Sequence, residues 1–451
     1  MQIIANASET VLTVLKRFYK ECSSYRLSHY CVQTPVEEGT LLFNLLTREM
    51  LLLTPEEQAN MSSLDYLKKR WFLVPEDAKE KEYADLVKWI LSTRQTKADS
   101  ITGYTIFTTT DCNARCFYCF ELGRSRIPMS HETALKVVDY IKAHCGGKTV
   151  NISWFGGEPL FNAEAIDTIC DGLRQNGVEF KSTMVSNGYL FDDQTVQKAV
   201  EKWNLKKVQI TLDGTEKIYN RIKAFIYPQT NAYQIVLNNM QRLLDAYIAI
   251  SVRLNMDLYN AEDLLKLMDD LALRFGGRKG LHVYAHHLFK DNLPMAESHT
   301  DEEWEEREAA MRRLEEKILQ SGLRVKKGIS HKLRLNQCMA DSGNAVTILP
   351  DGNIGLCEHF SDLEFIGHID REGFDASVVA SWKERTPEIP ECAECFYYPE
   401  CIKLKKCANA SVCYRQFRQQ RLRSTQRAMV NEYEKWKNQT NAEDEDDAGF
   451  C

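Results

Sequence analysis

The 451-residue sequence lacks the features that mark membrane, secreted or nucleic-acid-binding proteins. It contains no run of about 18 apolar residues, so no membrane-spanning helix is expected. Its first residues, MQIIANASETVLTVLKRFYKE, predict an amphipathic helix and lack the basic start and apolar stretch of a signal peptide. The net charge of −7 gives no reason to expect nucleic acid or an acidic membrane surface as a partner. We therefore expect a cytoplasmic protein.

Cysteine, by contrast, is abundant, with 15 residues in the chain. Clustered cysteines in a cytoplasmic protein of this size more often bind metal or perform redox chemistry than form disulfides. Ten lie in clusters: Cys112, Cys116, Cys119, Cys338, Cys357, Cys392, Cys395, Cys401, Cys407 and Cys413. Four of the others are predicted to be core residues, since a free buried cysteine behaves as a small hydrophobe, and Cys451 is predicted to have no role.

The middle of the chain, residues 100–330, alternates strand-like and helix-like runs. Such alternation predicts an α/β fold with a parallel sheet covered by helices. Six units are too few for an eight-stranded barrel, so we expect a partial (β/α)6 TIM-like barrel. The strands are predicted at 104–110, 149–155, 182–187, 207–212, 249–256 and 281–288.

Polar and reactive residues follow four of these predicted strands. They are Cys112, Gly156, Asn187 and Asp213. Active sites of such folds lie at the carboxyl ends of the strands. We therefore expect these residues to meet at one edge of the sheet.

The segment CNARCFYCF places three cysteines in one loop, the three-cysteine loop (residues 112–119). A structural zinc site uses four ligands, whereas three thiolates on a [4Fe–4S] cluster leave one iron open. An open iron can chelate the amino and carboxylate groups of an amino acid. A zinc site stays open as an alternative.

The loop resembles that of the radical S-adenosylmethionine (SAM) enzymes. The resemblance implies that an electron from the cluster cleaves the sulfonium of SAM and that the resulting 5′-deoxyadenosyl radical takes a hydrogen atom from an unactivated carbon. It implies cluster ligation by Cys112, Cys116 and Cys119.

Further segments resemble the SAM-binding elements of the same family. The stretch WFGGEP is similar to the family element that holds the amino group of SAM, Ser186-Asn187 to the ribose-side element, and Arg253 to the arginine that meets the carboxylate. The cofactor contacts implied are Tyr118, Gly156, Gly157, Glu158, Pro159, Ser186, Asn187 and Arg253. Asp213 is a candidate catalytic residue near the substrate. A structural ion pair at Arg253 and a turn cap at Asp213 stay open as alternatives.

The cysteines from 338 onwards resemble the SPASM domain found behind radical SAM cores in peptide-modifying enzymes. One auxiliary [4Fe–4S] cluster is implied on Cys392, Cys395, Cys401 and Cys413. The other is implied on Cys338, Cys357 and Cys407, with an open iron that a substrate thiolate could fill. The spacing departs from the family pattern at Lys405, where the family has a cysteine. A pair of zinc knuckles is the alternative.

Residues 1–95 resemble the front segment of radical peptide maturases. That resemblance implies a winged-helix-like peptide recognition domain, which adds a leader peptide to its sheet as an edge strand. A structural appendage to the barrel is the alternative. The predicted divisions are a leader-recognition domain at 1–95, a radical SAM core at 100–330, a SPASM domain at 331–415, and a C-terminal helix with an acidic tail at 416–451.

These resemblances imply a radical SAM peptide maturase of the sactipeptide or ranthipeptide synthase type. It would use SAM and three [4Fe–4S] clusters to form a cysteine thioether in a precursor peptide, with flavodoxin or ferredoxin as electron donor. The alternatives are formylglycine formation as in anaerobic sulfatase maturation, carbon–carbon cross-linking, epimerisation, and a zinc-bound peptide-binding scaffold. No general base is identified, although His286, His287 and His359 are candidates.

Overall fold

The computed structural model describes residues 1–94, 100–119, 121, 123, 125–288, 300–323, 327–335, 338–359, 364–407, 413 and 415–448. Over these residues the chain forms a front unit (residues 1–94), a parallel-sheet core, a cysteine-rich segment (residues 331–413) and a long C-terminal helix.

The front unit is built on an antiparallel four-stranded sheet. Its strands and helices are β1 (Gln2–Ala5), α1 (Glu9–Leu15), β2 (Tyr25–Leu27), β3 (Cys31–Val36), β4 (Gly39–Asn44), β5 (Met50–Leu53), α2 (Pro55–Ala59), α3 (Asp65–Lys69), β6 (Leu73–Pro75) and α4 (Glu80–Arg94). The strand order is β1-β5-β4-β3, and β2 pairs separately with β6. The prediction of a helix from the first residue is wrong over residues 2–5. Ile3 pairs with Leu51 of β5 there, and the helix begins only after the cap at Ser8.

The core alternates parallel strands with helices, as predicted. Its elements are β7 (Gly103–Thr109), α5 (His131–His144), β8 (Val150–Gly156), α6 (Ala163–Gln175), β9 (Phe180–Ser186), α7 (Asp193–Glu201), β10 (Leu205–Thr211), α8 (Glu216–Lys223), α9 (Ala232–Asp245), β11 (Ala249–Met256), α10 (Ala261–Phe275), β12 (Leu281–His287) and α11 (Asp301–Gln320). The six strands β7 to β12 pair in parallel and in chain order. Ile106, Val208 and Val252 are fully buried between the sheet and its helices. The α/β fold class and the six-unit parallel sheet are confirmed.

The cysteine-rich segment extends the core sheet rather than forming a separate layer. Its elements are α12 (Met339–Ser342), β13 (Ala345–Ile348), β14 (Asn353–Gly355), β15 (Gly367–His368) and α13 (Ala376–Lys383). Strand β13 pairs in parallel with β7, and β14 and β15 follow antiparallel, so that the sheet has nine strands. This pairing places Cys338 and Cys357 on either side of a hairpin attached to the first core strand.

The C-terminal helix α14 (Arg415–Ala448) connects the front unit to the core. Arg427 pairs with Glu315 of α11 at 2.6 Å, and Gln426 donates to the backbone oxygen of Gln33 in β3. The helix continues through the acidic residues 441–448. Once a helix has started, each added residue contributes a hydrogen bond, and alanine and glutamate support helix well. Among the described helices, none is both long and apolar enough to cross a membrane.

Candidate active site

The three-cysteine loop follows β7 at the carboxyl edge of the sheet, as predicted. The three thiols are half-buried. Burial, followed by the charges of Glu158, Cys116 and Cys119, raises the pKa of the Cys112 thiol to about 12. The three side chains are therefore close enough to repel one another as thiolates. A cationic metal centre relieves that repulsion and deprotonates its thiol ligands, so the donor set fits an iron–sulfur cluster. Within the described part of the chain, no three His, Cys, Asp or Glu side chains have the convergent geometry of a single-metal site.

Gly156 and Gly157 lie against the backbone at the end of β7. A Cβ at Gly156 would lie 2.1 Å from the carbonyl oxygen of Thr109, and one at Gly157 would lie 2.3 Å from that of Asp111. Gly156 also has φ 123°, in the region that favours glycine. The two glycines let β8 end directly beside the residues that precede Cys112. The absence of a side chain at both positions thus allows the close backbone approach on which the site is built.

Glu158 is fully buried and faces the protein interior. Its carboxylate accepts hydrogen bonds from the Ser186 hydroxyl at 2.9 Å, the Asn187 N–H at 2.8 Å and the Leu160 N–H at 3.2 Å. Burial raises its pKa to about 7, although these donors oppose the shift. Glu158 therefore ties the end of β8 to the end of β9. Its role toward the amino group of SAM stays a prediction.

Pro159 and Asn187 complete the connections around the three-cysteine loop. Pro159 begins a short 3-10 helix, and its carbonyl oxygen accepts a hydrogen bond from Thr108 at 2.9 Å. The Asn187 side chain donates to Asn113 Oδ1 at 2.6 Å and lies 3.8 Å from Cys112 Sγ. Asn187 thus reaches the three-cysteine loop from the end of the third strand, while Ser186 beside it binds Glu158.

Arg253 lies on β11 with its Nε buried and without a hydrogen-bond partner. Among the described residues, no carboxylate forms an ion pair with it. Burial lowers the pKa of His286 to about 4, and the positive charge of Arg253 is the second cause of that shift. The guanidinium of Arg253 is therefore near His286 inside the barrel. An unsatisfied buried guanidinium donor fits an anionic ligand, and a carboxylate matches its geometry. This observation favours the predicted SAM-carboxylate role over a structural ion pair.

Tyr118, Asp213 and Lys223 form a buried polar cluster beside the three-cysteine loop. Lys223 Nζ lies 2.8 Å from Asp213 Oδ2 and donates to the Tyr118 hydroxyl at 2.9 Å. Tyr118 donates to Asp213 Oδ2 at 2.5 Å, and Asn255 donates to Asp213 Oδ1 at 3.0 Å. The helix cap of α8 is Thr215, so Asp213 does not cap that helix. Both carboxylate oxygens of Asp213 are engaged inside the protein, and its catalytic role stays a prediction.

Lys223 is a site residue that the sequence analysis missed. The buried positions of α8 are Tyr219, Ile222 and Lys223, which form one stripe of the helix. A lysine at a position where helical periodicity calls for an apolar residue is the signal that could have revealed it. Although burial lowers its pKa, the Asp213 carboxylate raises that pKa well above the usual range, so Lys223 is charged.

The histidines named as candidate bases lie elsewhere or are engaged. His287 Nε2 lies 3.0 Å from Glu308 Oε1, and both side chains are buried. His286 Nδ1 contacts the backbone oxygen of His287 at 2.8 Å. The pair at His287 links β12 to α11, which is a structural role.

The cysteines of the C-terminal segment separate into two groups. Burial, followed by the charges of neighbouring thiolates, raises the pKa of Cys395 and Cys401, and Cys413 is among the neighbours of both. Burial, followed by the charge of Cys407, raises the pKa of Cys338. Both residues pack with Cys357 against the core. The assignment of these cysteines to two cluster ligand sets stays a prediction.

Cationic side chains accompany the first of these groups. Lys403 Nζ lies 3.2 Å from Cys392 Sγ. A cavity of about 300 Å³ adjoins Cys392 and Cys401 and is lined also by Lys88, Arg334 and Arg385. A [4Fe–4S] cluster with four thiolates carries net negative charge, so these cations suit an auxiliary cluster.

Comparison with known proteins identifies the core. Residues 106–271 match the family model described as Radical SAM superfamily. The core of the chain therefore contains a segment, residues 106–271, that matches the radical SAM domain. The radical SAM cyclopropyl synthase TigE of Paramaledivibacter caminithermalis is 23% identical over 235 residues, which cover 42% of this chain and 49% of TigE. The matches span less than half the length of the curated relatives.

Two solved structures have a similar fold over most of the chain. One is anSMEcpe with bound AdoMet and the Kp18Cys peptide, which is 13% identical, with a TM-score of 0.55 over 74% of this chain and 99% of anSMEcpe. The other is Streptococcus suis SuiB bound to precursor peptide SuiA, also 13% identical, with a TM-score of 0.50 over 84% of this chain and 95% of SuiB. At these identities the likeness concerns the fold alone.

Proposed function

We propose that the protein is a cytoplasmic radical SAM maturase that forms a cysteine thioether in a ribosomally made precursor peptide. The observation that carries this proposal is the strand-end site. There the Gly156-Gly157 backbone lies against the residues that lead into the three-cysteine loop. The buried Nε of Arg253, which has no hydrogen-bond partner, lies on the same sheet three strands from β8. When bound there, a [4Fe–4S] cluster supplies the electron that cleaves SAM and releases a 5′-deoxyadenosyl radical.

The chain's own residues account for the binding of that cofactor. Cys112, Cys116 and Cys119 would hold the cluster, and Arg253 would orient the carboxylate of SAM. The remaining cofactor contacts are Tyr118, Gly156, Gly157, Glu158, Pro159, Ser186 and Asn187. Two further clusters are proposed on the two C-terminal cysteine groups.

The overall change to the peptide is the loss of two hydrogen atoms as one carbon–sulfur bond forms. The carbon loses its hydrogen atom to the adenosyl group, which becomes 5′-deoxyadenosine. The cysteine thiol loses a proton, and an auxiliary cluster held by the C-terminal cysteines would be the acceptor of the surplus electron. An external donor of the flavodoxin or ferredoxin class supplies the first electron.

A peptide substrate is supported by the two similar folds, since SuiB was crystallised with a precursor peptide and anSMEcpe with a peptide. The front unit offers a sheet to which a leader could add as a strand. Its β5 edge is already paired with β1, and α14 packs along β3. Among the described elements, the outer edge of β1 has no partner strand, and we place the leader there.

A second candidate is carbon–carbon bond formation in a peptide. It is favoured by the similarity to TigE, whose name describes a cyclopropyl synthase. Both reactions remove two hydrogen atoms, so mass alone does not separate them. Thioether formation consumes a cysteine thiol, whereas carbon–carbon bonding leaves that thiol free to react with iodoacetamide.

The first experiment measures iron, sulfide and zinc in protein purified without oxygen. Three [4Fe–4S] clusters predict about twelve irons per chain and little zinc. Cysteine-containing precursor peptides are then incubated with SAM and a reductant, and the products are alkylated before mass spectrometry. Zinc without iron after anaerobic reconstitution would contradict the enzyme proposal. A modified peptide that still alkylates fully would favour the carbon–carbon reaction.

A further inference from the structure

Lys223 is buried at the end of α8 with three oxygen partners. Its ammonium contacts Asp213 at 2.8 Å, the Tyr118 hydroxyl at 2.9 Å and the Thr211 hydroxyl at 2.6 Å. Its side chain is 3% exposed, and that of Asp213 is fully buried. Each of the three donors of the ammonium therefore has a partner within the protein.

The same end of α8 also holds the three-cysteine loop through its backbone. The Arg115 N–H donates to the Lys223 carbonyl oxygen at 2.8 Å, and the Ile226 N–H donates to the Asn113 carbonyl oxygen at 2.9 Å. Ala224 adopts a left-handed conformation with φ 44°, which ends the helix between these two contacts. The loop is thus attached at Asn113, Arg115 and Tyr118 to one short segment of the chain.

We propose that Lys223 is a positioning residue that sets the conformation of the three-cysteine loop, through the hydroxyl of Tyr118, for SAM binding. The inference rests on the proposed function, because it assigns Lys223 a role toward that cofactor. Tyr118 lies between Cys116 and Cys119, so anchoring its hydroxyl to Lys223 and Asp213 restrains the backbone between two proposed cluster ligands. Lys223 and Asp213 hold the hydroxyl from one side as donor and acceptor.

The contacts distinguish this role from that of an ordinary buried ion pair. A pair that only stabilises the fold needs no link to the loop, whereas Lys223 shares its ammonium with a loop side chain. Because the charge of Asp213 compensates it, replacing both groups together by neutral residues of similar shape leaves no unpaired buried charge. The double replacement therefore removes the contact to Tyr118 while sparing the fold.

The test uses anaerobically purified full-length protein with its clusters. The variants are Lys223→Met combined with Asp213→Asn, Lys223→Arg, and Tyr118→Phe. Lys217→Met, on the exposed face of α8, is the matched control. The readouts are iron per chain and the SAM concentration that half-converts the electron paramagnetic resonance spectrum of the reduced cluster.

We expect iron content to stay unchanged while the double replacement weakens SAM binding about tenfold, as the loss of a charged hydrogen bond predicts. Tyr118→Phe should weaken binding similarly, and adding it to the double replacement should have little further effect, because the residues act through one contact. Lys223→Arg should restore part of the affinity, and Lys217→Met should resemble the wild type.

Unchanged SAM binding in the double replacement would overturn the proposal. So would a triple variant whose loss of SAM affinity equals the sum of the losses from Tyr118→Phe and from the double replacement. Loss of iron with normal SAM binding by the remaining loaded protein would also overturn it, since that result indicates a structural role. Failure of the proposed function is visible separately, because the wild-type protein would then lack the cluster or the response to SAM.

Discussion

Arg48 of the front unit donates to Glu400 of the cysteine-rich segment over 3.0 Å, one residue before Cys401. Both side chains are almost fully buried, with 3% and 2% exposed. Arg334 binds the second carboxylate oxygen of Glu400 at 3.0 Å. A buried charge network therefore joins the unit proposed to recognise the leader to a proposed cluster ligand.

Arg48→Met should destabilise the protein, because it leaves Glu400 with one cation instead of two. Leaving a buried charge with no partner costs about 3–5 kcal/mol, and the cost here should be smaller because Arg334 still binds Glu400. Thermal unfolding of the anaerobic protein, together with limited proteolysis of the front unit, measures the effect. Arg313→Met is the control, since its pair with Glu262 is exposed and exposed pairs contribute about 0–1 kcal/mol. Equal effects of the two substitutions would contradict the assignment.

Gly156→Ala should disrupt the site because its Cβ would overlap the carbonyl oxygen of Thr109. Overpacking of this kind costs about 1–3 kcal/mol, and the shift would be felt directly at the three-cysteine loop. Iron content and the thermal midpoint should both fall. Gly177→Ala is matched in needing positive φ, but nothing lies within 4 Å of its Cβ position. If both variants lose equal iron, crowding at Gly156 is not the cause.

Glu158 should make stability depend on pH between about 4.5 and about 7. Its pKa is raised to about 7 in the folded protein, mainly by burial. In this window the folded state binds more protons than the unfolded state, so the contribution of Glu158 to stability falls as pH rises. A shift of this size corresponds to about 3 kcal/mol.

Glu158→Gln should remove that part of the pH dependence. Thermal midpoints of the wild type and the variant are compared at several pH values from about 5 to about 7.5, which span the titration of Glu158. As pH rises, the thermal midpoint of the wild type should fall relative to that of Glu158→Gln. Parallel profiles would show that Glu158 does not titrate there.

Alanine substitution of Cys392 and Cys395 together should remove one auxiliary cluster and leave the others. We expect about eight irons per chain instead of about twelve. Replacing Cys338 and Cys407 should remove the other auxiliary cluster and give the same count. Cys170→Ala is the control, because Cys170 is a fully buried core residue of α6. An unchanged count in either double variant would show that its cysteines do not bind a cluster.

A leader-bearing peptide should protect the backbone amides of β1 from hydrogen exchange. The outer edge of this strand has no partner among the described strands, and added strands pair through backbone groups. Mass spectrometry of exchange with and without the peptide locates the protection. Protection along β3 with none at β1 would place the leader on the opposite edge.

The sequence by itself determined the parallel core and the residues at its strand ends. Alternation of strand and helix patterns is local, and Cys112, Gly156, Asn187 and Asp213 could be assigned to strand ends by counting along the chain. Parallel strands bring their carboxyl ends to one edge, so these residues necessarily meet there. The three-cysteine spacing likewise indicated its chemistry without a structure.

Only the tertiary structure decided how those residues are connected. Glu158 bonds to Ser186 at the end of β9. Lys223 lies on the apolar stripe of a helix, and its position in the sequence does not reveal that it contacts Tyr118 and Asp213. The pairing of β13 with β7, of β1 with β5, and of Arg48 with Glu400 joins residues far apart in the chain. Such contacts depend on packing between elements, which local periodicity and composition do not encode.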